Sequence, residues 1–359
     1  QNCWDSALDL VKTALEKEDG LCAKWMPRKG TKANIIRRYL RVSPKQYRKL
    51  LVGLTNVVET KMCAKDWSSI EYSKLPSLAS SRYQKTFMKN DEERYEEYKR
   101  ALVDGKTTIN AGAVYPYDIT KSIKYGGVKD VAQAQWESLP NYMEGISERV
   151  LPVVDTSGSM TNPAGNNGNV TCMDVSTSLG LYISERNEGV FKNAFITFSS
   201  KPQLQLLEGS LTERLTQLER ADWGMNTDLQ ATFNLILDQA VIHNVPESEM
   251  PTKVLILSDM EFDQATSGQW DSVTEWNPTA QRMIKGMYEE AGYKMPGIVY
   301  WNIQSRQDNV PTSFDEMGTA LVSGFSPSIM KSILSCEELT PYKMMMETIG
   351  SARYEPIKV

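Results

Sequence analysis

Histidine is almost missing from this chain: His243 is the only one among 359 residues. Its scarcity removes Ser-His-Asp and Cys-His nucleophile machinery, and with it the His-rich metal sites. Cysteine is sparse as well. Cys3, Cys22, Cys63, Cys172 and Cys336 lie far apart, with no CxxC spacing. An odd, scattered set argues against a disulfide framework and a zinc cluster, and it fits reduced thiols in an intracellular, cytoplasmic protein. No stretch approaches the roughly 18 consecutive apolar residues of a membrane span, so no membrane partner is expected. An N-terminal signal pattern is also lacking, and the chain opens on Gln1 rather than Met, which suggests a processed or truncated start.

What is present is a globular composition, 24% charged and 41% hydrophobic, at a length sufficient for two ordinary domains. The net charge of −5 conceals a division. Up to Pro140 there are 25 Lys/Arg against 17 Asp/Glu, a net of +8; from Asn141 onward 15 stand against 28, a net of −13. Between Gly20 and Val58 there is no acid at all, while Lys24, Arg28, Lys29, Lys32, Arg37, Arg38, Arg41, Lys45, Arg48 and Lys49 supply ten positive charges. Such asymmetry points to two modules with different partners.

Residues 1–145 read as helical. Trp4, Ala7, Leu8, Leu10, Val11, Ala14 and Leu15 recur at helical spacing over Cys3–Lys17, and Asn34–Leu40 continues the pattern. Ser43-Pro44 reads as an N-cap followed by proline at the first helical position, opening a helix to about Val58. Further helices are predicted over Ser77–Met88, Asp91–Val103 and around Val128–Trp136. Short helices without strand alternation suggest an α-helical repeat array, HEAT-like in style, although no fixed-period repeat is visible.

From 149 to 359 the texture changes to α/β. Val150–Val154, Val254–Leu257, Ile298–Trp301 and Thr319–Phe325 read as strands, and Ala194–Phe198 with Gln203–Leu207 as a strand pair. Helices are predicted over Met173–Arg186, Leu211–Arg220, Leu229–His243, Thr279–Gly292 and Ser328–Leu334. The alternation implies a doubly wound, Rossmann-like sheet, in which ligands sit beyond the carboxyl ends of the strands.

At the first such end stands Asp155-Thr156-Ser157-Gly158-Ser159-Met160. An Asp closing a buried strand, followed by two alternating hydroxyls in a tight turn, gathers three oxygens, and Gly158 is expected to let the turn fold back. Hard divalent cations take oxygen ligands of this kind, Mg²⁺ with some retained water. The polar loop Asn162–Asn169 is expected to lie over this face.

These residues resemble the metal-ion-dependent adhesion site of the von Willebrand A family, whose first motif is Asp-x-Ser-x-Ser. The resemblance implies two more ligands: a Thr in the loop before the third helix, here Thr227, and an Asp after the fourth strand, here Asp259. It thus assigns Asp155, Ser157, Ser159, Thr227 and Asp259 to one cation, Mg²⁺ or alternatively Mn²⁺ or Ca²⁺, with a position left for a partner's carboxylate. Glu261 and Asp263 read as a solvated edge or as groups just behind the ligands; Asp228 reads equally as a helix cap. With no histidine and no base of suitable pKa beside it, the site is expected to bind rather than catalyse.

A helical array joined to such a domain resembles the Ro/TROVE ribonucleoproteins and their uncharacterised relatives in eukaryotes and viruses. The resemblance is carried by Ala23-Lys24-Trp25-Met26-Pro27-Arg28, Tyr47-Arg48-Lys49-Leu50-Leu51, Val58-Glu59-Thr60-Lys61-Met62 with Trp67, Leu75-Pro76-Ser77, and Gly105–Val114 leading into Tyr115-Pro116, over roughly residues 20–355. It implies binding of small structured RNA by the helical half. Lys24, Arg28, Lys29, Lys32, Arg37, Arg38, Arg41, Arg48 and Lys49 are the candidate phosphate contacts, with Trp25, Tyr39 and Tyr47 available for stacking. The competing reading of the same stretch is a solvated helix face with Trp25 and Tyr39 buried. A protein–protein scaffold is the alternative for the whole chain.

Overall fold

The computed structural model describes residues 3–55, 57–145, 148–165, 168–198, 201–220, 229–259, 278–304 and 319–324, with 329, 342, 345–346 and 349–350. It divides into two compact units, Gln1–Asn110 and Ala111–Val359.

The first unit is helical: α1 (Cys3–Glu16), α2 (Gly20–Trp25), α3 (Gly30–Tyr39), α4 (Pro44–Leu54), α5 (Val58–Cys63), α6 (Ser77–Asn90) and α7 (Glu92–Val103). Helix α4 starts as its sequence dictates. Ser43 accepts from the Gln46 N–H while the Gln46 side chain accepts from the Ser43 N–H, a reciprocal capping box. It stops at Leu54 rather than running to Val58, because the Thr55 side chain turns back onto the Leu51 carbonyl and the backbone leaves the helical region there. Leu8, Leu15, Ala23, Ala33, Ile36, Tyr47 and Leu51 form one core of this unit. Tyr72, Phe87, Tyr95 and Tyr98 form an aromatic cluster with ring centroids 5.0–6.1 Å apart.

The second unit holds two more helices than its sequence texture suggests, α8 (Pro116–Lys124) and α9 (Lys129–Glu137). Helix α9 was expected with the helical half and α8 was not predicted, yet the apolar faces of both are completed only by the sheet unit's own helix. Ile119 and Trp136 are buried with Leu179 and Tyr182 of α10 (Cys172–Arg186). The Trp136 indole N–H donates to Glu185 at 2.6 Å, and the Arg186 guanidinium lies over the Tyr182 ring.

The sheet comprises β1 (Val150–Asp155), β2 (Ala194–Phe198), β3 (Gln203–Leu206), β4 (Lys253–Ser258), β5 (Gly297–Asn302) and β6 (Thr319–Ser323), in the order β3-β2-β1-β4-β5-β6. All neighbours are parallel except β2 and β3, the strand pair expected from sequence, which is antiparallel. Pro152 is tolerated inside β1 because the ladder to β2 begins one residue later, at Val153. Alternate residues fill two cores. Val150, Val154, Leu255, Leu257, Val299 and Trp301 pack under α10 together with α8 and α9. Leu151, Val153, Val254, Ile256, Ile298 and Tyr300 pack under α12 (Leu229–Ile242) and α13 (Pro278–Glu290). Burial on both faces is why these strands read as continuous apolar runs. Helix α11 (Leu211–Glu219) completes the first layer. The predicted helix at Ser328–Leu334 lies almost wholly outside the described residues.

Candidate metal centre

The strand order fixes where a ligand can sit. From β1 the chain moves to β2 on one side, and it later returns to β4 on the other. In a parallel sheet such a reversal opens a crevice beyond the carboxyl ends of the two central strands. Val154 pairs with Leu257, so Asp155 stands level with Ser258, and Asp259 follows one residue later. Both carboxylates are buried, Asp155 at 0% exposure and Asp259 at 5%.

Asp155 is held at both oxygens. Oδ1 accepts from the Ser157 N–H at 2.9 Å, and Oδ2 accepts from the Ser258 hydroxyl at 2.5 Å. The Ser157 and Ser159 hydroxyls lie 3.0 Å apart, with Ser157 at the mouth of a short 3₁₀ turn, Gly158–Thr161. Four of the five residues assigned by motif therefore stand in one neighbourhood. Thr227, like Asp228, Glu261 and Asp263, lies outside the described residues. Burial pushes the Asp155 carboxyl from its ordinary 3.8 up to about 6, the charge of Asp259 adds to that rise, and the Ser258 and Ser157 hydrogen bonds oppose it. Among the described residues no three of His, Cys, Asp and Glu form a cluster, so a cation held here depends on hydroxyl oxygens as well as carboxylates. An all-oxygen set of two carboxylates and two hydroxyls suits a hard divalent ion and not a soft one.

One expectation is corrected. Gly158 does not owe its place to backbone freedom: its φ is not positive, and an added Cβ would meet nothing within 4 Å. The turn is set instead by the Asp155–Ser157 bond. The Asn162–Asn169 loop is tied at its base, where Ala164 N–H donates to Val170 O at 2.7 Å and Cys172 N–H to Asn162 O at 2.9 Å. Two residues with no role assigned from sequence also stand near this face, Asn302 at 8% exposure and Gln304 at 5%, at the end of β5. The signal was available: a buried apolar strand turning abruptly to Asn-Ile-Gln, as β4 turns to Ser-Asp.

The basic stretch of the helical unit is mixed. Lys29, Lys32, Arg38, Arg41, Arg48 and Lys49 are exposed, as is Arg28, which donates to Thr55 at 3.2 Å. Lys24 is committed to Glu59 at 3.0 Å, and Arg37 is half-buried. Trp25 is 74% exposed, which reverses the reading that buries it, whereas Tyr47 is buried with its hydroxyl on Pro27 O and has no free face for a base. Tyr39 is half-buried and donates to Asp9.

No helix among the described residues is long and apolar enough to cross a membrane. Residues 149–354 match the family described as Domain of unknown function (DUF7788), and residues 13–148 match Domain of unknown function (DUF2828). These matches meet at 148/149, whereas the packing divides the chain after Asn110. The chain is 28% identical over 366 residues to uncharacterized protein L728 of Acanthamoeba polyphaga mimivirus, covering 94% of this chain and 61% of the viral one, so it spans about three-fifths of that relative. Among solved structures it is similar to the RO (RSR) protein of Deinococcus radiodurans, at 14% identity and TM-score 0.39, over 96% of this chain and 76% of that one. It is also similar to the SpRpn10 VWA domain, at 12% and 0.31, over 51% and 92%. An aerotolerance-related membrane protein from Bacteroides fragilis follows at 14% and 0.27, over 56% and 96%. Scores this low leave the topology to be read from the strand order itself. With more than half of its residues inside one family match, the chain belongs to the family described as Domain of unknown function (DUF7788).

Proposed function

We propose that this chain is a non-catalytic, Ro-like binding protein with a divalent-cation docking point on its sheet unit and an RNA-binding face on its helical, HEAT-like and TROVE-like unit. The observation that carries the first half is the convergence of Asp155 and Asp259 at the reversal of strand order, with the Ser157 and Ser159 hydroxyls 3.0 Å apart beside them. Asp155, Ser157, Ser159, Asp259 and Thr227 would hold the ion, Mg²⁺ or else Mn²⁺ or Ca²⁺. When bound, the ion supplies positive charge and a position for an incoming oxygen. The chain's own residues do the rest: Ser258 fixes the Asp155 carboxylate, the Ser157 N–H orients its other oxygen, and burial excludes competing water. A protein partner would dock through a carboxylate.

For the helical unit, exposed Arg28, Lys29, Lys32, Arg38, Arg41, Arg48 and Lys49 supply phosphate contacts, and exposed Trp25 offers a stacking face. A second reading, a protein–protein scaffold without RNA, is favoured by the exposed apolar side chains Leu10, Leu21 and Val52 of the same unit. Filter binding of a small stem-loop RNA at two salt concentrations separates them. The RNA reading expects affinity to fall steeply with salt, and Arg38→Ala with Arg48→Ala to lower the slope by about 2. No binding at low salt leaves the scaffold.

A further inference from the structure

Across the three central strands the last described registers place Asp155, Ser258 and Asn302 in one row: Val154 pairs with Leu257, and Ser258 pairs with Asn302. Strand alternation puts all three on the same face of the sheet. Leu151 and Val153 precede Asp155 on that face, Val254 and Ile256 precede Ser258, and Ile298 and Tyr300 precede Asn302, all within the core under α12 and α13. Gln304 follows two residues on, past the end of β5. The apolar core thus ends in a polar row that runs from Asp155 through Ser258 to Asn302, with Gln304 just beyond it.

Of the two carboxamides, that of Asn302 is engaged and that of Gln304 is not. Asn302 Oδ1 accepts from the Gln304 N–H at 2.8 Å, the Ile303 N–H donates to Ser258 O at 3.0 Å, and the Gly324 N–H donates to Asn302 O at 3.0 Å. The segment is therefore pinned to β4 and β6 by its backbone. Gln304 Oε1 is buried and has no hydrogen-bond partner among the described residues, in a residue only 5% exposed. A buried orphan acceptor is costly and uncommon in a folded protein, and in a polar pocket the missing donor is ordinarily water or a ligand. What it lacks is a donor, so the missing group is not an anion.

We infer that Gln304, oriented by Asn302, is a positioning residue of the cation site, accepting a hydrogen bond from an ordered water that links the end of β5 to the ion at Asp155 and Asp259. This rests on the docking-point reading above. The side chain does not ligate; it holds the hydration of the site in place from the β5 side, as groups just behind metal ligands do. β5 neighbours β4, about 4.8 Å away, so one water at its end spans toward the β4 side of the site, where Asp259 follows Ser258, while Asp155 stands one strand further on.

The test uses the full chain stripped of metal, with Mn²⁺ as the probe, its free concentration read by electron paramagnetic resonance, and melting recorded in EDTA. Gln304→Met keeps the volume and removes the acceptor. It is expected to weaken Mn²⁺ binding about tenfold or more, while the melting temperature in EDTA holds or rises because a buried orphan oxygen has gone. Gln304→Glu keeps an acceptor oxygen and is expected to bind Mn²⁺ at least as tightly as the unmutated chain. Unchanged Mn²⁺ affinity in Gln304→Met overturns the inference alone. So does a fall in the EDTA melting temperature that accounts for the weaker binding, because that outcome is a structural role. Failure of the unmutated chain to bind Mn²⁺ overturns the docking-point reading and takes this one with it.

Discussion

Without a cation, Asp155 should make the sheet unit less stable as the pH rises from 4 to 7, and Asp155→Asn should remove that dependence. The folded-state pKa is raised, from 3.8 to about 6. Below about pH 4 the carboxyl is protonated in both folded and unfolded chains and contributes no difference. Between 4 and 6 the unfolded chain ionises first while the folded one keeps its proton, so stability falls. Above 6 both are ionised and the loss is complete. A shift of about two units corresponds to about 3 kcal/mol, an upper figure because a relaxing site admits water. For a unit of this size that is a change of several degrees in melting temperature. The assay is thermal melting in EDTA at pH 4.5, 5.5, 6.5 and 7.5 for the unmutated chain and for Asp155→Asn. Other carboxylates titrate over the same range, and subtracting one series from the other cancels them. Saturating Mg²⁺ at pH 7.5 should restore stability to the unmutated chain and leave Asp155→Asn unmoved, since ligand binding stabilises only the state that binds. Parallel pH series for the two proteins would refute the reasoning.

Other consequences are more local. Gly180 of α10 lies where an added Cβ would come within 2.6 Å of Val154 Cγ2 and 2.7 Å of Phe195 Cε2; Gly180→Ala should cost about 1–3 kcal/mol, measured by urea denaturation. Arg41 sits past the end of α3 at φ 55°, in the left-handed region that favours glycine, with its own N–H on Arg38 O and that of Val42 on Arg37 O. Arg41→Gly should therefore raise the stability of the helical unit by up to about 1 kcal/mol, and any weakening of RNA binding would then reflect lost charge rather than lost fold. Trp136→Ala removes a fully buried indole and its bond to Glu185; a loss of about 3–5 kcal/mol is expected by denaturation, and a small loss would show that α9 is not part of the sheet unit's core.

Most of the sheet could be read directly because β1, β4 and β5 are buried on both faces, and nothing but an apolar run ending in a polar residue satisfies that environment. Asp155 was legible as the acid that closes such a run ahead of two alternating hydroxyls, whereas Asp259 was assigned through the family resemblance. Helix α8 was not legible, since its Tyr115-Pro116 start carries the capping Asp118 but its apolar face is completed only by α10, far along the chain. Helix α2 was hidden by its six-residue length, although Asp19 accepts from the Leu21 and Cys22 N–H groups as a clear cap. The exposure of Trp25 was unreadable because burial of an aromatic at a helix end is decided by which neighbour packs on it. Gly158 misled for the opposite reason, its type suggesting a strained turn that the Asp155–Ser157 bond makes unnecessary. Gln304 went unnoticed because a lone amide carries meaning only once the register of β4 and β5 sets Asn302, two residues before it, beside Ser258.

The central claim is that one hard cation sits where β1 and β4 end. A crystal of the protein grown with Mn²⁺ and measured at the manganese absorption edge tests it most directly. One anomalous peak is expected within about 2.1–2.5 Å of oxygens from the Asp155, Ser157 and Ser159 side chains, with Asp259 bound directly or through a water. No peak at that position at millimolar Mn²⁺, or an equal peak in Asp155→Ala, would contradict it.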